Sequence, residues 1–333
     1  MDEMEAMNGT TVCVTGASGF FASWLVMRLL QKGYNVRGTV RDPGNEEKVG
    51  HLWKLPGAKE RLQLVKADLL IDGSFDDAVN GCQGVFHTAS PVVTVKSDPK
   101  TEILDPAIAG TLNVLRSCKK NESVKRVILT SSSSAVRVRT DFDPSVPLNE
   151  SSWGSVELCE RLQLWYPLAK ILAENAAWDF AEKNNLDMVV VLPTFIIGPS
   201  LPPDLSSTAS DVLGLLKGET KRFAMHGRMG YVHIDDVARC HILVYEEARA
   251  KGRYICSSDV LDNSELAQIL AQRYPHLNIP TRFENIWGTR HPYTYDTSKL
   301  KNLGFEFKGT IDKMFDDCIA SLIDQAYLPK QGK

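Results

Sequence analysis

The 333-residue chain contains no apolar run of bilayer-spanning length; its longest are short segments such as Met188-Val189-Val190-Val191-Leu192, against the ~20 residues a membrane helix requires. Neither sign of charge prevails. The formal net charge is −3 and acids and bases are interspersed, which excludes the basic footprint of a nucleic-acid or anionic-membrane binder. The stretch Met1 to Asn8 is acidic and lacks an apolar h-region, so no secretory signal is read and a cytoplasmic location is expected. The seven cysteines include no Cys-x-x-Cys pair and read as reduced core thiols rather than a disulfide framework. The histidines include no pair at metal-ligand spacing, so no metal site is expected. No Gly-x-Ser-x-Gly elbow is present, which removes a serine-hydrolase reading. Internal repeats and low-complexity tracts are also absent.

What the chain does have is alternation. Short β-branched runs alternate with amphipathic stretches, the pattern of a parallel sheet covered by helices. Strands are predicted at Thr11–Thr15, Asn35–Val40, Leu62–Val65, Gly84–Thr88, Val124–Thr130 and Asp187–Leu192. Helices are predicted at Phe20–Gln31, from about Glu102 to Cys118, and from Tyr166 through Lys183. After Pro193 the texture changes. A Pro-rich loop, Gly198 to Asp204, precedes a helix near Thr208–Lys217, a short strand Tyr231–His233, a helix Val237–Glu246 capped by Asp235, a strand Arg253–Cys256, and helices near Glu265 and Met314. With 43% hydrophobic residues the chain can bury one large core or two fused ones. The reading is an α/β fold, a Rossmann-type doubly wound parallel sheet over residues 9–192. A smaller C-terminal substrate-binding lobe spans 193–328, with some elements returning to the main sheet.

Two motifs carry chemistry. Gly16, Gly19 and Ala22 follow the first strand directly and open a helix, the context in which glycines let the backbone approach a pyrophosphate seated on the helix N-terminus. Tyr166 and Lys170, four residues apart in one helix, share a face. A cation at that distance lowers a phenol's pKa from ~10 and makes it a usable proton donor near neutrality. Tyr295 and Lys299 repeat the spacing but follow no serine-rich strand end, and they read as a turn into a short helix. Tyr166 follows Arg126-Val127-Ile128-Leu129-Thr130-Ser131-Ser132-Ser133-Ser134, a buried strand ending in hydroxyls. One of those serines is placed to hydrogen-bond a substrate carbonyl; spacing alone leaves Ser131 to Ser134 open.

Cofactor choice turns on the second strand. Where an NAD enzyme carries an acid, this chain has Arg37, then Arg41 and Asp42. A guanidinium can hold a 2′-phosphate bidentately, which favours NADP(H) with Arg37 as the contact. The full expected cofactor set is Gly16, Ser18, Gly19, Phe20 and Phe21 at the turn, Arg37, Asp68 and Leu69 near the adenine, and Thr88, Ala89 and Ser90 near the nicotinamide ribose. Tyr166, Lys170 and Pro193 complete it.

Together these residues resemble the extended short-chain dehydrogenase/reductases, in their plant dihydroflavonol reductase-like branch. The likeness covers nearly the whole chain. It includes Val40-Arg41-Asp42-Pro43, Val85-Phe86-His87-Thr88-Ala89-Ser90-Pro91, Tyr231-Val232-His233-Ile234-Asp235-Asp236-Val237 and Asp296-Thr297-Ser298-Lys299. The resemblance implies a Ser-Tyr-Lys catalytic set, with the family's serine mapping onto Ser132. Dihydroflavonol reductases carry an asparagine and a glutamine where this chain has Arg137 and Gly230; cinnamoyl-CoA reductases share only Trp165, Tyr166 and Lys170 of their signature. The likeness runs further toward tetraketide α-pyrone reductases, through Gly198 to Ala209 and His226 to Tyr231. That implies a small apolar ketone, an alkyl pyrone used in making pollen-wall sporopollenin. Phe195, Met225, Met229, Tyr231 and Trp287 are the residues expected to line its pocket. The alternatives are a cinnamoyl-CoA, dihydroflavonol or aromatic aldehyde reductase, a nucleotide-sugar epimerase or dehydratase, and a non-catalytic NADP-binding regulator.

Overall fold

A computed structural model of the protein describes residues 9–91, 98–141, 143–283 and 292–330. Among the described residues, ten strands form two sheets. The large one has seven strands, β1 (Thr11–Val14), β2 (Asn35–Val40), β3 (Leu62–Lys66), β4 (Gly84–His87), β5 (Arg126–Thr130), β6 (Met188–Pro193) and β9 (Gly252–Cys256), in the order β3-β2-β1-β4-β5-β6-β9. Every adjacent pair is parallel. The small one holds β7 (Phe195–Ile197), β8 (Met229–His233) and β10 (Asp259–Leu261) in the order β10-β8-β7.

Burial on both faces explains the uninterrupted apolar strands. Every residue of β6 and β4 is buried, as parallel strands covered by helices on two sides must be. One core cluster packs the Phe20–Gln31 and Ile234–Glu246 helices against one face, and a second packs Asp105–Lys120 and Trp165–Lys183 against the other. A third cluster, built on Leu213, Tyr231, Leu266 and Phe315, gathers buried residues between Ile197 and Leu328. Strand order reverses between β1 and β4. In an open parallel sheet that reversal leaves a crevice beyond the carboxyl ends of the strands, where ligands bind.

Two local expectations are corrected. The helix after β8 begins at Ile234 and is capped by His233, whose ring nitrogen accepts the Asp235 amide at 3.1 Å. Asp235 therefore lies inside the first turn, where its carboxylate accepts Trp24 Nε1 at 2.9 Å and pairs with Arg28. The helix predicted from Glu102 starts with a π-type turn, Lys100–Leu104, and becomes α-helical only at Asp105 with Pro106 in its first turn. The two turns run on without a break, the Asp105 amide bonding the Lys100 carbonyl, so Pro106 lies within a continuous helical run to which it can donate no backbone hydrogen bond. A helix at Glu46–Trp53, capped by the Asn45 side chain, was not foreseen.

Candidate active site

Thr15, the residue after β1, organises the floor of the crevice. Its hydroxyl oxygen accepts the amides of Thr88 (3.1 Å) and Ala89 (3.0 Å) and lies 2.9 Å from His87 Nδ1. The glycine turn is thereby pinned to the end of β4. Gly16 has φ +66, and a Cβ there would stand 3.1 Å from the Ala89 Cβ; only glycine accepts both the left-handed backbone and the close approach. The helix that follows has Gly19 as its N-cap, with no capping side chain and no acid in its first turn. Its first-turn N–H groups thus lack an internal acceptor, and with the helix dipole they form a seat for an anion. Ser18, Gly19 and Phe20 are at least partly open to solvent, while Phe21 is buried against the His241 ring, with centroids 4.7 Å apart.

Arg37 does not stand where a 2′-phosphate is expected. It is the third residue of β2, level with Cys13 in the middle of β1, and its guanidinium donates to the backbone carbonyls of Asp77 and Asn80. The first residue past the carboxyl end of β2 is Arg41, which is exposed and has no hydrogen-bond partner among the described residues. Asp68 follows β3 on the same edge, since the Ala67 amide bonds the Val40 carbonyl at 3.0 Å. One Asp68 carboxylate oxygen closes its own turn by accepting the Leu70 amide at 2.9 Å. Leu69 turns inward: its side chain packs on Gly110, and its carbonyl accepts Asn113 at 2.8 Å.

The hydroxyl-rich end of β5 separates its four serines. Ser131 is buried and donates to Glu174 at 2.6 Å. Ser133 and Ser134 are buried, and only Ser132 is partly open. The Ser132 oxygen accepts from the Ser134 amide (3.2 Å) and hydroxyl (2.9 Å), which leaves its own proton for an outside acceptor. Pro193 ends β6 beside this loop, its carbonyl accepting the Ser133 amide at 2.9 Å.

Tyr166 and Lys170 lie on the Trp165–Lys183 helix, where Pro167 in the first turn costs no hydrogen bond. Lys170 Nζ is 5.9 Å from the centre of the Tyr166 ring and 3.5 Å from the Thr130 carbonyl. Tyr166 is 51% exposed, a large aromatic open to the crevice. The Lys170 charge also reaches His87, whose pKa falls to about 3 through burial first and that cation second. His87 is therefore neutral and cannot compete as an acid near neutral pH. One edge of the sheet thus brings together an uncapped helix N-terminus, a partnerless arginine, a serine with a proton to give, a phenol and an ammonium. That set fits a phosphorylated dinucleotide and a carbonyl. It includes no cluster of three or more metal-ligating side chains among the described residues.

Residues 12–257 match the NAD dependent epimerase/dehydratase family. The chain belongs to that family. It is 68% identical over 317 residues to tetraketide alpha-pyrone reductase 1 of Arabidopsis thaliana, covering 95% of this chain and 96% of the relative. Vestitone reductase from alfalfa (Medicago sativa) superposes with a TM-score of 0.82 at 38% identity, over 96% of this chain and 99% of that one. The yeast methylglyoxal/isovaleraldehyde reductase Gre2, solved with NADPH, gives a TM-score of 0.81 at 28% identity over 96% and 99%. Within the family this chain is an oxidoreductase of the reductase branch. Among the described residues no helix is long and apolar enough to cross a membrane.

The expected substrate-lining residues divide. Tyr231 and Met229 are buried in the third cluster, Phe195 lies at its margin with its ring 5.9 Å from that of Tyr231, and Met225 is 53% exposed. Trp287 lies outside the described residues. Burial raises the Tyr231 phenol well above its ordinary range, and its hydroxyl has no hydrogen-bond partner among the described residues. Glu174 and Arg253 were missed by sequence reasoning, and Arg41 was named but passed over in favour of Arg37. The signal for Glu174 was available, because it continues the four-residue spacing of Tyr166 and Lys170.

Proposed function

We propose that this chain is an NADPH-dependent ketone reductase in which Ser132, Tyr166 and Lys170 handle the carbonyl, and that its substrate is an alkyl-chain tetraketide α-pyrone of sporopollenin formation. The observation that carries it is the partly open Ser132 with a free proton, on the same crevice edge as the Tyr166–Lys170 helix face and the uncapped glycine turn. The NADPH named with the yeast neighbour is the cofactor this reading adopts; when bound, it supplies the hydride. The amides after Gly19 hold its pyrophosphate, and Arg41, in place of Arg37, holds its 2′-phosphate. Ser132 donates a hydrogen bond to the carbonyl oxygen and Tyr166 gives that oxygen a proton as negative charge develops. Lys170 stabilises the phenolate left behind.

Two features favour a ketone on an apolar chain over a polyhydroxylated flavonoid. A side chain at Gly230 would have its Cβ 2.5 Å from Thr194 Cγ2 and 2.9 Å from Ser257 Oγ, so a glutamine has no room there unless those residues shift. Arg137 ends the short Ser134–Arg137 helix as a half-buried cation, and its charge reaches the buried Tyr231 and Tyr295 phenols. It replaces an amide that would grip a ring hydroxyl, a kind of contact that carries orders of magnitude in discrimination. The 68% identity to a protein named for pyrone reduction supports the same substrate class.

The test is NADPH oxidation against a long-chain alkyl pyrone ketone, dihydroquercetin and feruloyl-CoA under one condition. The pyrone should win by at least tenfold in kcat/KM. A tenfold win by either competitor removes the pyrone assignment and leaves the reductase. Stoichiometric product without net NADPH consumption points instead to an epimerase. Arg41→Asp should weaken NADPH and shift preference toward NADH, while Arg37→Asp should leave the NADPH/NADH ratio of kcat/KM near wild type.

A further inference from the structure

Glu174 extends the face of Tyr166 and Lys170 by one more turn, but it points inward and is 1% exposed. Both of its oxygens are engaged. Oε2 accepts the Ser131 hydroxyl at 2.6 Å; Oε1 accepts Arg253 Nε at 2.7 Å and lies 3.4 Å from Trp178 Nε1. Arg253, on β9 and 6% exposed, donates through Nη1 to the carbonyls of Glu150 (2.9 Å) and Ser152 (2.7 Å), and its guanidinium lies over the Trp153 ring at 3.8 Å. The Glu150 carboxylate closes the circuit by accepting the Ile255 amide at 3.0 Å. One buried ion pair therefore joins the Tyr166 helix, the serine end of β5, the edge strand β9 and the 150–153 loop.

A buried ion pair is a poor source of net stability, because well-packed apolar residues of similar volume can replace it without loss. What it supplies that apolar packing does not is direction. The Lys170 contact with the Thr130 carbonyl is long at 3.5 Å, so it holds the helix face to the strand end only loosely. The Glu174–Ser131 bond is short, and Ser131 is itself fixed by its amide on the Val191 carbonyl at 2.9 Å. We infer that Glu174, held by Arg253, is a positioning residue for reduction: through Ser131 it sets the height and rotation of the Tyr166 helix against Ser132. This rests on the assignment of Ser132, Tyr166 and Lys170 proposed above. Neither Glu174 nor Arg253 is given any contact with substrate or cofactor.

The experiment compares Ser131→Ala, Ser131→Thr, Glu174→Gln and the double variant Glu174→Leu/Arg253→Met, with Tyr166→Phe alongside. In each, kcat, KM for NADPH and for the ketone, Tm and the pH profile of kcat are measured. Ser131→Ala should lose about tenfold in kcat, since small misplacements of reacting groups carry costs of this order or more, while KM for NADPH stays near wild type. Ser131→Thr, which restores the hydroxyl, should recover most of the loss. The double variant should regain Tm relative to Glu174→Gln but not regain kcat. Wild-type kcat per folded enzyme in both Ser131→Ala and the double variant overturns the positioning role, whatever their Tm. If Tyr166→Phe keeps full turnover, the acid assignment and the inference built on it both fall. Loss in Tyr166→Phe with full kcat in the other variants removes the positioning role alone.

Discussion

Tyr166–Lys170 and Tyr295–Lys299 have the same spacing and opposite surroundings. In the first, both residues sit on one long helix, the phenol is half open to the crevice, and the ammonium faces the phenol ring at 5.9 Å. In the second, Tyr295 is bridged to Leu148 in extended backbone, and the helix begins only at Ser298, so the two residues do not share a helix. The Tyr295 hydroxyl is buried beside Ser133 and Tyr293 without a well-formed hydrogen bond, and burial pushes its pKa well above the ordinary range. Lys299 Nζ is taken by the carbonyls of Lys251 (2.8 Å) and Arg253 (2.9 Å) and lies 4.4 Å from the Tyr254 ring centre. A phenol–ammonium pair is usable chemistry only where the phenol can meet a substrate and the cation is not committed to backbone. The second pair is a clasp between the chain after residue 292 and the edge strand.

The largest expected effect tests this contrast directly. Tyr166→Phe should lose ~10²–10⁴-fold in turnover, the usual worth of a general acid, with NADPH affinity little changed. Tyr295→Phe should leave turnover near wild type, because it removes only a hydroxyl that no good hydrogen bond uses. Steady-state kcat and an NADPH titration on both variants suffice, and the reverse pattern would sink the assignment.

The lysines should split along a different axis. Lys170→Met should lower turnover strongly and barely move the melting temperature, since its one backbone contact is long. Lys299→Met should do the opposite. Water can replace the donor at the exposed Lys251 carbonyl, but the part-buried Arg253 carbonyl loses its donor, a cost of at most ~1–3 kcal/mol, while kcat per folded molecule persists. Thermal unfolding together with kcat separates the two, and equal losses of kcat in both variants would erase the distinction drawn between the pairs.

Much of this was legible because the relevant signals are local. The strands β1 to β6 declare themselves as short apolar runs with helices between them, and the glycine turn and the Tyr166 face are contained in single segments. What was not legible depends on register and on distant partners. The predicted bounds Asn35–Val40 already put Arg37 third in the strand and Arg41 just past its end; what the sequence could not show is that the Arg37 guanidinium is taken by the Asp77 and Asn80 carbonyls while Arg41 has no hydrogen-bond partner among the described residues. The serine run could not be resolved by spacing, because exposure and hydrogen bonding, not order, distinguish Ser132 from its neighbours. Capping of the helix after β8 by a histidine ring nitrogen in place of Asp235 depends on Trp24 and Arg28 claiming that carboxylate from 211 and 207 residues away. Glu174 and Arg253 are 79 residues apart and meet only once β9 has joined the large sheet.

The smallest effect concerns the ground on which the productive pair stands. His241 is fully buried under the end of β5, with Nδ1 2.7 Å from the Val237 carbonyl and Nε2 2.9 Å from the Thr130 hydroxyl, the residue whose carbonyl faces Lys170. Donation from Nδ1 to the carbonyl leaves Nε2 to accept the Thr130 proton, so the neutral ring satisfies both bonds and a second ring proton would break one. Burial lowers its pKa to about 4, against the opposing pull of the Val237 carbonyl. The unfolded value is ~6.5, so between those limits the unfolded chain binds a proton that the fold refuses. Stability from this site is complete above the unfolded value and is lost as pH falls toward about 4, with a slope of at most about 1.4 kcal/mol per pH unit. His87, held at about 3, adds a slope of the same sign that persists lower. His241→Asn, which keeps a donor toward Val237 but cannot titrate, should flatten the fall in urea-unfolding free energy between pH 6.5 and pH 5 by up to one histidine's share. An unchanged slope would mean that the ring takes up its proton as readily in the fold as in the unfolded chain, and that the Thr130 end of β5 is held by something other than a neutral histidine.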